Sequence, residues 1–251
     1  MNWDNIVEKV SPHVVKIETP SGSGTGFFFF TYAQPQKWCA VATALHVISD
    51  AYQWQQPIKI HGHRFERPPL FLAEPHRAIF IKWQTDSAVI LFQPGDLQFP
   101  EAPIPLRPVN APISIGAELG WLGFPSLEPW TLCFFSGNVS ARPEHRSAYL
   151  IDGVAISGVS GGPVVFRDDT EGVQFVGIVS AYQAARTRGE SLPGLLVAQD
   201  VTHFHEMIST FNSWEEAKRK QAEEQAQLEQ ARAQSQITPP PAVAPQPVPK
   251  S

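Results

Sequence analysis

Ser160 stands in the run Ile156-Ser157-Gly158-Val159-Ser160-Gly161-Gly162-Pro163, a hydroxyl set among glycines and followed by the β-branched Val164 and Val165. A serine hydroxyl attacks a carbonyl only when a base takes its proton and donors receive the oxyanion that forms. Glycines on either side permit the sharp turn that aims successive backbone N–H groups at one point, here those of Gly158 and Ser160. Taken alone, the string also fits a plain tight loop between two strands. Two upstream stretches make it a chemical signal. His46 ends the apolar run Ala42-Thr43-Ala44-Leu45, and Asp86 opens the run Ser87-Ala88-Val89-Ile90-Leu91. The order His46, Asp86, Ser160 is one of those in which a Ser–His–Asp triad is laid out along a chain.

Three other aspartates compete for the place beside the histidine: Asp50, Asp96 and Asp152. Asp50 follows His46 by one helical turn and would point elsewhere, and the Asp-Ser-Ala-Val-Ile-Leu context favours Asp86. In these roles Ser160 is the nucleophile, His46 takes and returns the proton, and Asp86 fixes the imidazole tautomer.

Together the stretches resemble the trypsin-like (chymotrypsin-fold) serine peptidases, particularly the HtrA-type branch and its compact bacterial relatives. Val10 to Ile17 resembles the opening strand of that branch, and Gly22-Ser23-Gly24-Thr25-Gly26 its glycine-rich first turn. Gly120-Trp121-Leu122-Gly123-Phe124-Pro125 resembles its Gly-Tyr-Pro segment, and Ser136-Gly137-Asn138-Val139-Ser140 its Ser-Gly-x-Val-Ser strand. The resemblance spans residues 5 to 200 and implies an all-β fold of two six-stranded antiparallel β-barrels with the site between them. It places Val154 at the base of the primary specificity pocket, with Ser157, Ser180, Ala181 and Tyr182 as further substrate-binding positions. An acidic pocket base is missing, so an apolar residue of small or medium size is expected before the scissile bond. Asp152 resembles a residue of the loop entering the site. The chain departs from the digestive enzymes in having no Ile-Val-Gly-Gly segment and in carrying Val159, not an acid, before the nucleophile. The HtrA-type branch usually has asparagine there. No PDZ-like domain is expected after the protease region.

The elements that must position these groups read as follows. Residues 2 to 10 pattern as a short helix, with Asn2 or Asp4 as cap and Ile6, Val7 and Val10 on one face. Val14 to Thr19 alternates as a strand, and Phe27 to Phe30 and Trp38 to Ala44 suit strands buried in a closed barrel. Two hairpins are expected between His46 and Asp86. Pro57–Ile60 would pair with Arg64–Phe65 around exposed histidines His61 and His63, and Pro69–Leu72 with Ala78–Trp83. Residues 98 to 112 are proline-rich and suit an extended linker. Short strands resume from Ser114 to Asp200. Phe204, Ile208, Phe211 and Trp214 recur at helical spacing, with His203 and His205 as exposed residues at the helix start. The expected divisions are an N-terminal barrel over 1–105, a C-terminal barrel over 106–201, a helix over 202–235 and a disordered proline-rich tail over 236–251.

Composition limits the function classes. The chain has 251 residues, 43% of them hydrophobic and 17% charged, with a net charge of −5, which does not suit a general nucleic-acid binder. Its start has neither the basic nor the apolar region of a signal peptide, and no run approaches the ~20 residues of a membrane span. Cys39 and Cys133 are the only cysteines and are expected as free thiols, hence a cytoplasmic setting. The expected function is a serine endopeptidase acting on proteins or peptides, without metal, cofactor, nucleic-acid or membrane partner. The alternative is a protease-fold binding module that recruits protein partners through its C-terminal helix and proline-rich tail.

Overall fold

The computed structural model describes residues 2–32, 38–93, 100, 102–154, 156–168, 170–187 and 190–237. The side chains of 31–32, 181–187, 190–194, 231 and 233–237 lie outside that description. The expected proline-rich tail over 236–251 therefore falls almost wholly outside the described residues, and Asp96 lies outside them. The chain divides into a unit of residues 1–207 and a second of 208–251.

In the first unit, α1 (Trp3–Val10) begins where the Asn2 side chain accepts the Asn5 N–H, and it buries Ile6 and Val10. A sheet of seven strands follows: β1 (Val14–Thr19), β2 (Gly22–Tyr32), β3 (Trp38–Ala44), β4 (Ile58–Gly62), β5 (Leu70–Leu72), β6 (Arg77–Lys82) and β7 (Ser87–Phe92). Helix α2 (Leu45–Gln53) separates β3 from β4. The spatial order is β5-β4-β1-β2-β3-β7-β6, and the two end strands are not paired. The first sheet is thus a curled, open sheet of seven strands, where a closed barrel of six was expected. Its opening has a local cause. Strand β5 is only three residues long, a 3-10 turn over Glu74–His76 containing Pro75 follows it, and the Arg77 guanidinium donates to the carbonyls of Leu72, Ala51 and Gln56. Neither expected hairpin forms: β4 pairs with β1 and β5, and β6 pairs with β7.

The second sheet closes. Strands β8 (Glu118–Gly123), β9 (Cys133–Ala141), β10 (Ala148–Asp152), β11 (Pro163–Asp168), β12 (Gly172–Thr187) and β13 (Glu190–Asp200) form a barrel in the order β10-β13-β12-β11-β8-β9. The proline-rich segment before it is no free linker, since Phe175 exchanges backbone hydrogen bonds with Pro105 and Arg107.

The aromatic run Phe27–Phe30 shows why the two sheets meet. Alternation along β2 sends Phe28 into the core of the first sheet, with Val41, Ile48, Ile60 and Ile90. It sends Phe27 and Phe29 to the opposite face, where Phe27 lies 4.5 Å from Phe175 of β12 and Phe29 lies 5.1 Å from Phe204. Strand β3 is buried on both faces because it lies between that core and this aromatic seam. The resulting architecture is the chymotrypsin-like pairing of two β units.

Helix α3 (Thr202–Ile237) starts in the first unit. His203 is buried and His205 Nε2 lies 2.8 Å from the Arg107 carbonyl, so neither is the free surface histidine expected at a helix start. His61 is likewise no exposed turn residue: its Nε2 lies 3.0 Å from Glu18 Oε2. The second unit is helical through residue 237 and mostly polar, with Lys218 Nζ 3.6 Å over the Trp214 ring and a Lys220–Glu216 pair at 2.8 Å. Neither Cys39 nor Cys133 forms a disulfide. No helix among the described residues is long and apolar enough to cross a membrane.

One buried histidine makes the fold sensitive to pH. Burial holds the His13 imidazole below its ordinary 6.5; hydrogen bonding to the Phe28 and Ala102 carbonyls opposes this, and the Lys9 charge adds to it. As pH falls through 6.5 the unfolded chain takes up a proton that the folded chain still refuses, so stability falls. Denaturant titrations between pH 7.5 and 5.5 are expected to show a declining unfolding free energy. The decline should shrink in His13→Gln, which keeps a donor for Phe28 but does not titrate; an unchanged decline would refute the assignment to His13.

Candidate active site

Three local devices bring the site residues to one cleft. The first holds His46 in the opening turn of α2. That helix has Ala44 at its N-cap and no side-chain cap of its own. Asp86 supplies one from across the sheet: its Oδ1 accepts the His46 N–H at 2.9 Å, and its backbone carbonyl accepts the Leu45 N–H at 2.9 Å. Its other oxygen, Oδ2, lies 2.7 Å from His46 Nδ1. One carboxylate thus both caps the helix and orients the ring that the helix carries.

The second device fixes Asp86 itself. A 3-10 turn over Trp83–Thr85 ends on Asp86 with φ 47° and ψ 40°, a left-handed conformation that aspartate tolerates better than most residues. Ser180 of β12, which is buried, donates its hydroxyl to Asp86 Oδ2 at 2.7 Å. Burial alone would push this carboxyl up. The hydrogen bonds from His46 and Ser180, together with the His46 charge, outweigh it and hold the carboxyl below its ordinary value. An ionised Asp86 can only accept, so Nδ1 carries the proton and Nε2 of the neutral ring presents its lone pair.

The third device is the Ser157–Gly162 turn. Gly158 has φ 92° and a Cβ there would strike the Phe124 carbonyl; Gly161 has φ 83° and a Cβ would strike the Thr25 carbonyl. The carbonyl of Ser157 accepts the Ser126 N–H at 2.7 Å, and that of Val159 accepts the Gly162 N–H at 2.9 Å. A peptide unit is planar and trans, so its N–H points away from its own carbonyl. The amides of Gly158 and Ser160 are therefore turned from Ser126 and Gly162, and among the described residues neither has a partner. Val159 is fully buried in the second barrel's core with Trp121 and Val164, which anchors the turn by packing.

Thr25 ties the turn to the first sheet, a role that nothing in its Gly-Thr-Gly context announced. Its N–H donates to the Ser160 carbonyl at 2.9 Å and its hydroxyl donates to the Gly158 carbonyl at 2.8 Å. The same hydroxyl accepts the Phe124 N–H at 2.9 Å, and its carbonyl accepts the Thr43 hydroxyl at 2.7 Å. Thr25 is fully buried.

His46, Ser157, Gly158 and Ser160 line an open cleft of about 300 Å³, with Thr19, Ser21–Ser23, Val47, Ser49, Asp50 and Ser126 as its other walls. The His46 side chain is 49% exposed there. No hydrogen bond joins His46 to Ser160, and the contact between base and nucleophile is one that often closes only when substrate is bound. The structure does not bring every expected substrate-binding residue to this cleft. Val154 is 56% exposed and is not among the residues that line this cleft. Ser180 spends its hydroxyl on Asp86, and the side chains of Ala181 and Tyr182 lie outside the described residues. Among the described residues no group of three His, Cys, Asp or Glu is arranged to hold a metal ion.

No sequence family and no curated protein matches the chain. Solved structures do. Two crystal structures of Rv3671c from M. tuberculosis H37Rv, described as inactive forms of a protease, superpose with TM-scores of 0.55 at 17% and 18% identity. They cover 83% and 82% of this chain and 90% and 91% of theirs. The serine endoprotease from Yersinia pestis superposes with a TM-score of 0.58 at 19% identity, over 84% of this chain and 66% of that one. With its closed six-stranded barrel beside a curled sheet, the chain has the fold of the trypsin-like and HtrA-type serine peptidases.

Proposed function

We propose that the protein is a serine endopeptidase. Ser160 Oγ attacks the scissile carbonyl while His46 Nε2 takes its proton, and Asp86 stabilises the imidazolium that results. The oxyanion is received by the N–H groups of Gly158 and Ser160. His46 then gives the proton to the leaving amine, the C–N bond breaks, and a water activated by the same imidazole hydrolyses the acyl-enzyme. The observation that carries the reading is the 2.7 Å contact of His46 Nδ1 with Asp86, on the cleft where Ser160 stands between two amides that have no other partner.

On the acyl side of the bond, the proposal is for a small or medium apolar residue. Val154 offers no carboxylate for a cation, and burying an unpaired Arg or Lys costs several kcal/mol. Ser157, Ala181 and Tyr182 complete the proposed pocket, to which Ser180 contributes its backbone.

Labelling of the purified protein by a fluorophosphonate, compared with Ser160→Ala, tests the reaction class. Labelling of the wild type alone supports it. Absence of labelling and of peptide cleavage in both would leave the binding-module alternative, with the C-terminal helix and tail as its docking arm. Profiling on a peptide library tests the pocket: a dominant Arg or Lys before the cut would show it misplaced.

A further inference from the structure

Asp50 competes with Asp86 for the histidine in the sequence but does not bind it in the structure. It is exposed and lies on the same wall of α2 as His46, four residues on, which is neighbouring spacing on a helix surface. It lines the cleft that holds His46 and Ser160 and is the sole carboxylate among the lining residues. The remaining walls are hydroxyls, glycines and Val47: Thr19, Ser21 and Ser23 on one side, Ser49, Ser126 and Ser157 on the others. Lys59 lines a second hollow across the Thr19–Ser23 turn, not this one. Asp50 makes no ion pair or side-chain hydrogen bond among the described residues. Helix stability does not explain it either, because a negative charge in the last turn of a helix opposes the macrodipole.

The chemistry of the proposed reaction says which part of a substrate passes Asp50. His46 must hand its proton to the leaving amine, so the leaving strand runs past the imidazole, while the amides of Gly158 and Ser160 fix the acyl carbonyl. The continuation of the cleft along α2, between Val47–Asp50 and the Thr19–Ser23 turn, is therefore the bed for residues after the scissile bond. We propose that Asp50 makes this bed a subsite for a lysine or arginine within the first three residues on the leaving side. The inference rests on the peptidase reading and narrows its substrates to peptides that are apolar before the cut and basic just after it.

Peptides with a fixed apolar residue before the cut, and Lys, Ala or Glu scanned over the three positions after it, test this on the full chain. At one of those positions kcat/KM is expected to favour Lys over Glu by about 5-fold or more at low salt, the scale of attraction plus repulsion at an exposed charge. The preference should shrink in 1 M salt, where charges are screened within ~3 Å. It should fall to near unity in Asp50→Asn and reverse in Asp50→Lys. The salt comparison needs no variant, so the inference stays testable if a substitution impairs folding. Ser160-dependent cleavage with no Lys preference, or a preference that persists in Asp50→Asn, overturns the subsite and leaves the peptidase standing. Cleavage that survives Ser160→Ala overturns the peptidase reading and the subsite with it.

Discussion

Ser160→Ala and His46→Ala are each expected to lower kcat by about 10⁶-fold, and the double variant no further, because the groups act as a unit. The single losses are large because each removes the same event: without the base the hydroxyl keeps its proton, and without the hydroxyl the base has nothing to activate. Asp86→Asn should cost less, ~10⁴-fold, since asparagine can hold the ring in the wrong tautomer but still leaves both reacting groups present. In this chain it should also carry a second signature. The ionised Asp86 takes hydrogen bonds from the His46 ring and from the buried Ser180 hydroxyl on an oxygen that asparagine replaces with an uncharged NH2, so Asp86→Asn should lower stability as well as rate, whereas Ser160→Ala should change rate alone. The stability difference has a defined pH dependence. The Asp86 carboxyl is held below its ordinary 3.8, so its contribution is present above that pH and is lost as pH falls through the folded value. Steady-state kinetics and melting curves on the three variants check both. Comparable turnover by wild type and Ser160→Ala on any cleaved peptide would end the nucleophile assignment.

Local signals in the chain reach some elements and not others, and the division follows the range of the interactions involved. Helix α1 is legible because its cap and apolar face lie within nine residues of one another. The paired sheets are legible as alternation and as the largely apolar runs of β3 and β7. The start of helix α2 was not, because its N-terminus is capped by a side chain forty residues away. The pairings of β4, β5 and β6 were not: β4 joins the distant β1 as well as β5, while β5 and β6, consecutive in the chain, turn away from each other to the two opposite edges of the sheet. The same holds for single residues. His61 and His203 look like surface histidines until Glu18 and the packing of α3 enclose them. At the candidate site the reactive side chains stand out by type and spacing. Their holders Thr25 and Ser180 do not, since a buried threonine or serine whose hydroxyl serves a distant backbone or carboxylate has no local pattern to mark it.

Thr25→Val should therefore be the most informative change outside the reacting residues. Valine keeps the shape and the β-branched rigidity of threonine but neither donates nor accepts. The backbone bond from residue 25 to the Ser160 carbonyl survives, and with it the tether of the turn. What is lost is the grip on the Gly158 carbonyl and the acceptor for Phe124 N–H, both buried at the base of the turn. Orphaned buried groups of this kind cost ~1–3 kcal/mol each, and the turn can relieve the loss by rotating the peptides on either side of Gly158. That rotation moves the Gly158 N–H off the position where an oxyanion forms. Loss of one such donor lowers kcat by about 10²–10³-fold in comparable sites. The expected result is a fall in kcat of that size with KM little changed, slower fluorophosphonate labelling, and recovery of most of both in Thr25→Ser, which restores the hydroxyl. A purely structural role would lower the melting temperature of Thr25→Val and leave kcat of the folded fraction intact. That outcome would remove Thr25 as a positioning residue and place the control of the Gly158 amide in the Ser126–Ser157 bond instead.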